Sequence, residues 1–144
     1  MSMPFIMLVD DEIPFLETME KRLKKRSYSV ITACDGREAL STLERNKNVD
    51  VIVLDVKMPG LDGIETLKEI KKKTPLAEVI MLTGHATVET AIDGMKLGAY
   101  DYLMKPCEIE QLTGKINEAA DKKREREIKI REARTREILA DRGW

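Results

Sequence analysis

The chain has 144 residues, 42% hydrophobic, 35% charged and 4% aromatic, with a formal net charge of −1. That suits one domain with one core and a densely charged surface, and the near-neutral balance excludes the global field of a protein built to bind nucleic acid or anionic membranes. The balance hides an asymmetry: from residue 121 onward nine Lys/Arg stand against six Asp/Glu, a local +3 against −4 for the rest. Cys34 and Cys107 have no metal or redox spacing and read as free thiols of a reducing cytosol. No apolar run reaches the length of a signal-peptide core or a membrane span, so the expected location is cytoplasmic, without membrane contact.

Five short apolar runs alternate with amphipathic stretches. Residues 5–9 are continuously apolar, as a strand covered on both faces requires, and run into Asp10-Asp11-Glu12. Ile13, Leu16, Met19 and Leu23 follow at helical spacing. Residues 28–33 are more mixed, as suits an edge strand, and Ala39, Leu40 and Leu43 mark a second helix. Residues 49–54 form a third apolar run ending at Asp55. Ile64, Leu67 and Ile70 mark a helix opened by Asp62-Gly63 and closed by Thr74-Pro75.

Residues 78–82 give a fourth buried strand, and Val88, Ala91, Ile92 and Met95 one face of a fourth helix that Gly98 stops. Gly94 inside that helix costs it roughly 1 kcal/mol relative to alanine. Residues 100–104 lead into Lys105-Pro106, and Ile109, Leu112 and Ile116 begin a fifth helix. This alternation predicts an α/β fold, a parallel sheet with helices on both faces. Residues 119–142 contain no glycine or proline and predict an extended C-terminal helix. A heptad frame through Ile109, Leu112, Ile116 and Ala119 meets Lys123 and Arg126 before recovering at Ile130 and Ala133, an interruption that a coiled-coil seam does not favour. The expected division is a body at 1–120 and a charged helical extension at 121–144, acting as linker or dimerisation segment.

In an open parallel sheet, ligands bind beyond the carboxyl ends of the strands. Asp10, Asp11 and Asp55 all lie at such ends, and Lys105 lies at another. Carboxylates that close repel one another and call for a hard cation; Mg²⁺ takes oxygen ligands from one or two carboxylates together with phosphate oxygens. A strand-end carboxylate beside such a metal can act as an in-line nucleophile on phosphorus and give an acyl phosphate. Phosphoryl chemistry at a divalent metal is the reading these residues favour.

Over roughly residues 4–120 the chain resembles the receiver domain of two-component response regulators, the CheY-like family. The resemblance rests on Val9-Asp10-Asp11-Glu12, Leu54-Asp55 with Met58-Pro59-Gly60-Leu61-Asp62-Gly63, Leu82-Thr83-Gly84, Gly98-Ala99-Tyr100-Asp101-Tyr102 and Lys105-Pro106. It implies a doubly wound five-stranded parallel sheet in the order 2-1-3-4-5. It also implies that Asp55 accepts a phosphoryl group from a sensor histidine kinase or phosphotransfer protein. By the family pattern Asp11 and Asp55 bind Mg²⁺ directly, the Lys57 carbonyl supplies a third ligand, and Asp10 acts through water. Lys105 and the Thr83 hydroxyl would bind phosphoryl oxygens. Thr83 and Tyr102 would form the switch, reshaping the face of helix 4, strand 5 and helix 5. Lys57 and His85 would flank the attacking water and favour slow self-dephosphorylation, so the chain is a phosphoacceptor and not a turnover enzyme. Cys107 departs from the larger apolar residue common after that proline, which is expected to alter packing at the base of the fifth helix.

A haloacid-dehalogenase-type phosphatase also uses a strand-end aspartate with Mg²⁺, but it needs an acid two residues later, where this chain has Lys57. A flavodoxin shares the strand order, but Asp10-Asp11-Glu12 would repel its phosphate. The segments 83–91 and 98–102 resemble receivers of sigma-54-dependent activators. No helix-turn-helix and no G-x-x-x-x-G-K-[ST] motif is present, so direct nucleic-acid binding is not expected. Taken as complete, the chain would be a stand-alone or homodimeric regulator acting on a downstream protein. The alternative is an N-terminal receiver of a larger transcriptional activator with a fused effector.

Overall fold

The computed structural model describes residues 3–56, 62–84 and 87–141. Strands β1 (Phe5–Val9), β2 (Ser29–Ala33), β3 (Val51–Leu54), β4 (Glu78–Thr83) and β5 (Asp101–Met104) alternate with helices α1 (Ile13–Lys25), α2 (Gly36–Arg45), α3 (Gly63–Lys73), α4 (Val88–Lys96) and α5 (Ile109–Asp141). All strands are parallel, in the order β2-β1-β3-β4-β5. The doubly wound α/β fold and strand order therefore stand as expected from the sequence.

Period-two alternation sorts the sheet into two cores. Ile6, Leu8, Val51, Val53, Ile80 and Leu82 face α1 and α5, where they meet Leu16, Leu23, Leu112 and Ile116. Met7, Val9, Ile52, Leu54, Val79 and Met81 face the other side and meet Ala39, Leu43, Leu67 and Ile70 of α2 and α3. Every residue of β3 and β4 is buried, which is why those runs carry no polar alternation. Asp35 and Asp62 cap α2 and α3 by accepting from the Glu38 and Glu65 amides at 2.8 and 2.9 Å, satisfying donors the first turn leaves open.

Helix α4 differs from its expected packing. Val88, Ile92 and Met95 share a helical face yet remain 76%, 47% and 46% exposed, while Gly94 is the buried residue of that helix. A Cβ at Gly94 would lie 2.4 Å from Met81 Sδ, so the glycine lets the helix backbone sit directly on β4. What reads as a weak point in the helix is its seat on the sheet.

Helix α5 is continuous for 33 residues across residue 121. Lys123 and Arg126, the polar interruptions of the heptad frame, fall on its sheet-facing side. Lys123 Nζ reaches Asp50 Oδ1 at 3.0 Å, and Arg126 reaches Glu78 Oε1 at 2.8 Å. Higher up, Lys115 pairs with Asp101 at 2.9 Å. Burial acts to raise the Asp101 carboxyl, but the hydrogen bonds from Lys115 and from the Tyr102 amide outweigh it and hold the group below its ordinary value.

A carboxyl held lower in the folded than in the unfolded chain stabilises fully above its unfolded value, near 3.9, and loses that contribution as pH falls through the folded value. Asp101→Asn is thus expected to lower the urea midpoint at neutral pH. The difference from the unmodified protein should narrow as pH falls below the unfolded value and close once pH has passed the lower, folded value; a gap that persists in the acid limit would assign the loss to something other than this ionisation.

Candidate functional site

Three strand ends build the site. Beyond β1 and β3, Asp10 and Asp55 each add one further rung, from Asp10 N to Ala33 O at 3.1 Å and from Asp55 N to Val9 O at 2.9 Å. Because Val9 pairs with Leu54, the two carboxylates leave neighbouring strands at one level, at the point where the strand order reverses. Both residues are buried, 2% and 3% exposed. Asp10 Oδ1 accepts from the Glu12 amide at 2.9 Å.

The cation arrives from the end of β5. Lys105 N donates to Thr83 O at 3.0 Å, and the side chain crosses towards β1. Its ammonium lies 2.6 Å from Asp10 Oδ2, 2.9 Å from Glu12 Oε1 and 4.0 Å from Asp55 Oδ2. The Phe15 ring of α1 stands 4.0 Å from Nζ, measured to the ring centroid, a distance at which the ring face attracts a cation.

Burial pushes the Asp10 carboxyl above its usual range; the Lys105 and Glu12 hydrogen bonds oppose this, and the Asp55 charge adds to it. For Lys105 burial disfavours the charge, but its hydrogen bonds to Asp10 and Glu12 and the nearby Asp10 and Asp55 charges outweigh that and hold the ammonium above the ordinary lysine value. Among the described residues, one lysine against three acids leaves the site short of positive charge.

Asp10, Glu12 and Asp55 can bring one carboxylate oxygen each within 4.8 Å of one another. An all-oxygen donor set with excess negative charge suits a hard divalent cation, so these residues fit Mg²⁺.

Of the residues singled out in the sequence, Asp10, Asp55 and Lys105 come together. Thr83 is fully buried at the end of β4, paired in register with Met104. Asp11 is exposed and outside the group of three carboxylates. Tyr102 is half-buried, with its hydroxyl 3.3 Å from Met104 Sδ at the outer edge of β5. Lys57 and His85 lie outside the described residues. Cys107 is half-buried and packs against the α1–α5 core.

Glu12 enters the sequence reading only as part of the acidic run after β1, and Phe15 does not enter it. A third acid in the run after β1 was the available signal for Glu12. Phe15 had none, since only the fold brings it beneath a lysine 90 residues on.

The response regulator receiver domain model matches residues 6–117. The chain is 39% identical over 114 residues to the Transcriptional regulatory protein ZraR of Escherichia coli (strain K12), covering 79% of this chain and 26% of that protein. It thus spans about a quarter of that relative's length. Among solved structures it resembles a response regulator receiver domain protein from Clostridium thermocellum, with 39% identity and a TM-score of 0.81 over 85% of this chain and 98% of that one. It likewise resembles a CheY-like receiver domain protein from Methanospirillum hungatei JF-1, with 31% identity and a TM-score of 0.82 over 87% and 99%. With a β2-β1-β3-β4-β5 sheet and buried acids facing a lysine at its carboxyl edge, the chain belongs to the response regulator receiver domain family of two-component signalling.

Proposed function

We propose that this chain is a phosphorylation-dependent signalling switch whose phosphoacceptor is Asp55. The observation that carries this is the convergence of buried Asp10, buried Asp55 and Lys105 at the point where the strand order reverses. The donor is a phosphohistidine on a sensor kinase or phosphotransfer protein. An Asp55 oxygen forms the new O–P bond as the N–P bond breaks, and the electron pair returns to the imidazole nitrogen. Asp11 and Asp55 would hold Mg²⁺ directly, with the Lys57 carbonyl as a third oxygen donor and Asp10 acting through water. When bound, the ion supplies neutralisation of charge on the transferring oxygens. Lys105 contributes a point charge to one phosphoryl oxygen and the Thr83 hydroxyl a hydrogen bond to another.

The acyl phosphate adds charge and acceptors at one point. Drawing Thr83 towards it pulls on the end of β4, on which α4 sits through Gly94 and Met81. Tyr102, half-buried on β5 in register with Met81, turns inward and alters the α4–β5–α5 face. Exposed Val88, Ile92, Met95 and Met104 make that face the apolar surface available for output. The likeness to a transcriptional regulatory protein supports an output on transcription, delivered through a protein target, a second copy or a fused effector. Dephosphorylation is slow, tuned by Lys57 and His85, and the chain acts as a phosphoacceptor and not as a turnover enzyme. No helix among the described residues is long and apolar enough to cross a membrane, which accords with a cytoplasmic partner.

Intact mass after incubation with acetyl phosphate and Mg²⁺ tests the reading. A gain of about 80 Da is expected, lost in Asp55→Asn and on chelation of the metal. A gain that survives Asp55→Asn would place the acceptor elsewhere.

A further inference from the structure

Lys105 spends its hydrogen bonds on carboxylates other than the one it is meant to serve. An ammonium has three N–H donors, and two of them point at Asp10 Oδ2 and Glu12 Oε1, at 2.6 and 2.9 Å. Asp55 Oδ2, at 4.0 Å, is beyond hydrogen-bond distance. The two partners differ in kind. The Asp10 side chain is 3% exposed and that of Glu12 60%. Asp10 cannot leave without stranding a buried charge, whereas Glu12 can swing into water, because exposed ion pairs hold weakly. Glu12 is the N-cap residue of α1, and its side chain makes no capping hydrogen bond there.

We propose that Glu12 is an internal anion that holds Lys105 in the resting protein and, by competing for it, slows the loading of a phosphoryl group onto Asp55. The inference rests on Asp55 being the acceptor. The carboxylate holds a place on the lysine that a phosphoryl oxygen needs, and its charge repels the incoming dianion. Glu12 is therefore a positioning residue: it acts through Lys105 and sets the threshold for loading. Once loading has occurred, Lys105 belongs to the phosphoryl group and Glu12 lies in solvent, so loss of the phosphoryl group should be insensitive to it. This asymmetry separates the role from that of a metal ligand, which would affect both directions.

The test uses the full chain, its Glu12→Gln and Glu12→Asp variants, saturating Mg²⁺ and limiting acetyl phosphate. Loading and loss of the phosphoryl group are followed by intact mass, and Mg²⁺ affinity by titration calorimetry. Aspartate keeps the charge but is one methylene too short to reach the lysine. Both variants are expected to load about three- to fivefold faster, with the rate of loss and the Mg²⁺ affinity changed by less than about threefold. If neither variant loads faster than the unmodified protein, Glu12 does not gate the lysine. Acceleration by glutamine alone would leave general charge repulsion and remove the occupancy of Lys105. Slower loading with Mg²⁺ binding weakened more than about tenfold would make Glu12 a metal ligand instead. A failure of the unmodified protein to load would be a separate result, overturning Asp55 as acceptor and this inference with it.

Discussion

Gly63→Ala is expected to destabilise the protein by about 3 kcal/mol or more and to depress phosphoryl loading in whatever fraction still folds. A Cβ at this position would lie 2.3 Å from Val56 Cα, 2.4 Å from Asp55 O and 2.6 Å from Val56 O. All three are backbone atoms and no rotamer change moves them aside. Gly63 N also donates to Val56 O at 2.8 Å, so the first turn of α3 lies flat on the segment that carries Asp55. Relief of the clash must either lift α3 from its core contacts at Leu67 and Ile70 or shift the peptide that aims the acceptor. Gly114→Ala is the matched control, since nothing lies within 4 Å of its Cβ; it should stabilise α5 by roughly 0.5–1 kcal/mol. Urea denaturation of the two variants decides the matter. A Gly63→Ala protein within about 1 kcal/mol of the unmodified chain would mean that the close approach is readily relaxed.

Truncation provides the second large effect. Ending the chain at residue 120 should cost about 2–4 kcal/mol, a fall of roughly 5–15 °C in melting temperature for a domain of this size. Ending it at residue 128 should cost less than about 1 kcal/mol. Glu78 has 4% side-chain exposure and is held by Arg126 at 2.8 Å, with Lys71 further off at 3.7 Å. Asp50, which binds the Phe5 amide at 2.8 Å, is held from the other side by Lys123. Removing residues 121–144 takes away both cations and leaves Glu78 as a buried carboxylate with one distant partner. The side chain of Arg126 is 45% exposed, which places the cost below that of a fully buried pair. Thermal melts of the two truncations read the difference directly. Equal melting temperatures would make the extension a tail from residue 121 onward, as its composition alone suggests.

The division of labour between sequence and fold is plain at particular residues. Apolar continuity in residues 5–9 and 51–54, helical spacing on α1, α2 and α3, and the Asp62, Gly98 and Thr74-Pro75 boundary signals are local properties, and local properties suffice to define the elements. Asp10, Asp55 and Lys105 could be placed at strand ends for the same reason, since a ladder's register carries such residues to one edge. Strand order came through the family resemblance and not through periodicity, because pairing partners are not encoded within a single run.

Other features belong to the tertiary structure because they depend on groups far apart in the chain. Lys123 and Arg126 break a heptad pattern when read along the helix, yet they are the residues that bind Asp50 and Glu78 across the base of the sheet. Gly94 reads as a helix weakness and is the contact through which α4 sits on Met81. Glu12 reads as one more surface acid beside two aspartates, until the fold brings Lys105 to within 2.9 Å of it. By itself the sequence determined the elements, their edges and the acids and lysine at the strand ends. The tertiary structure alone decided which charges neutralise one another and where backbones touch, because both are set by distances that close only when the sheet and its helices assemble.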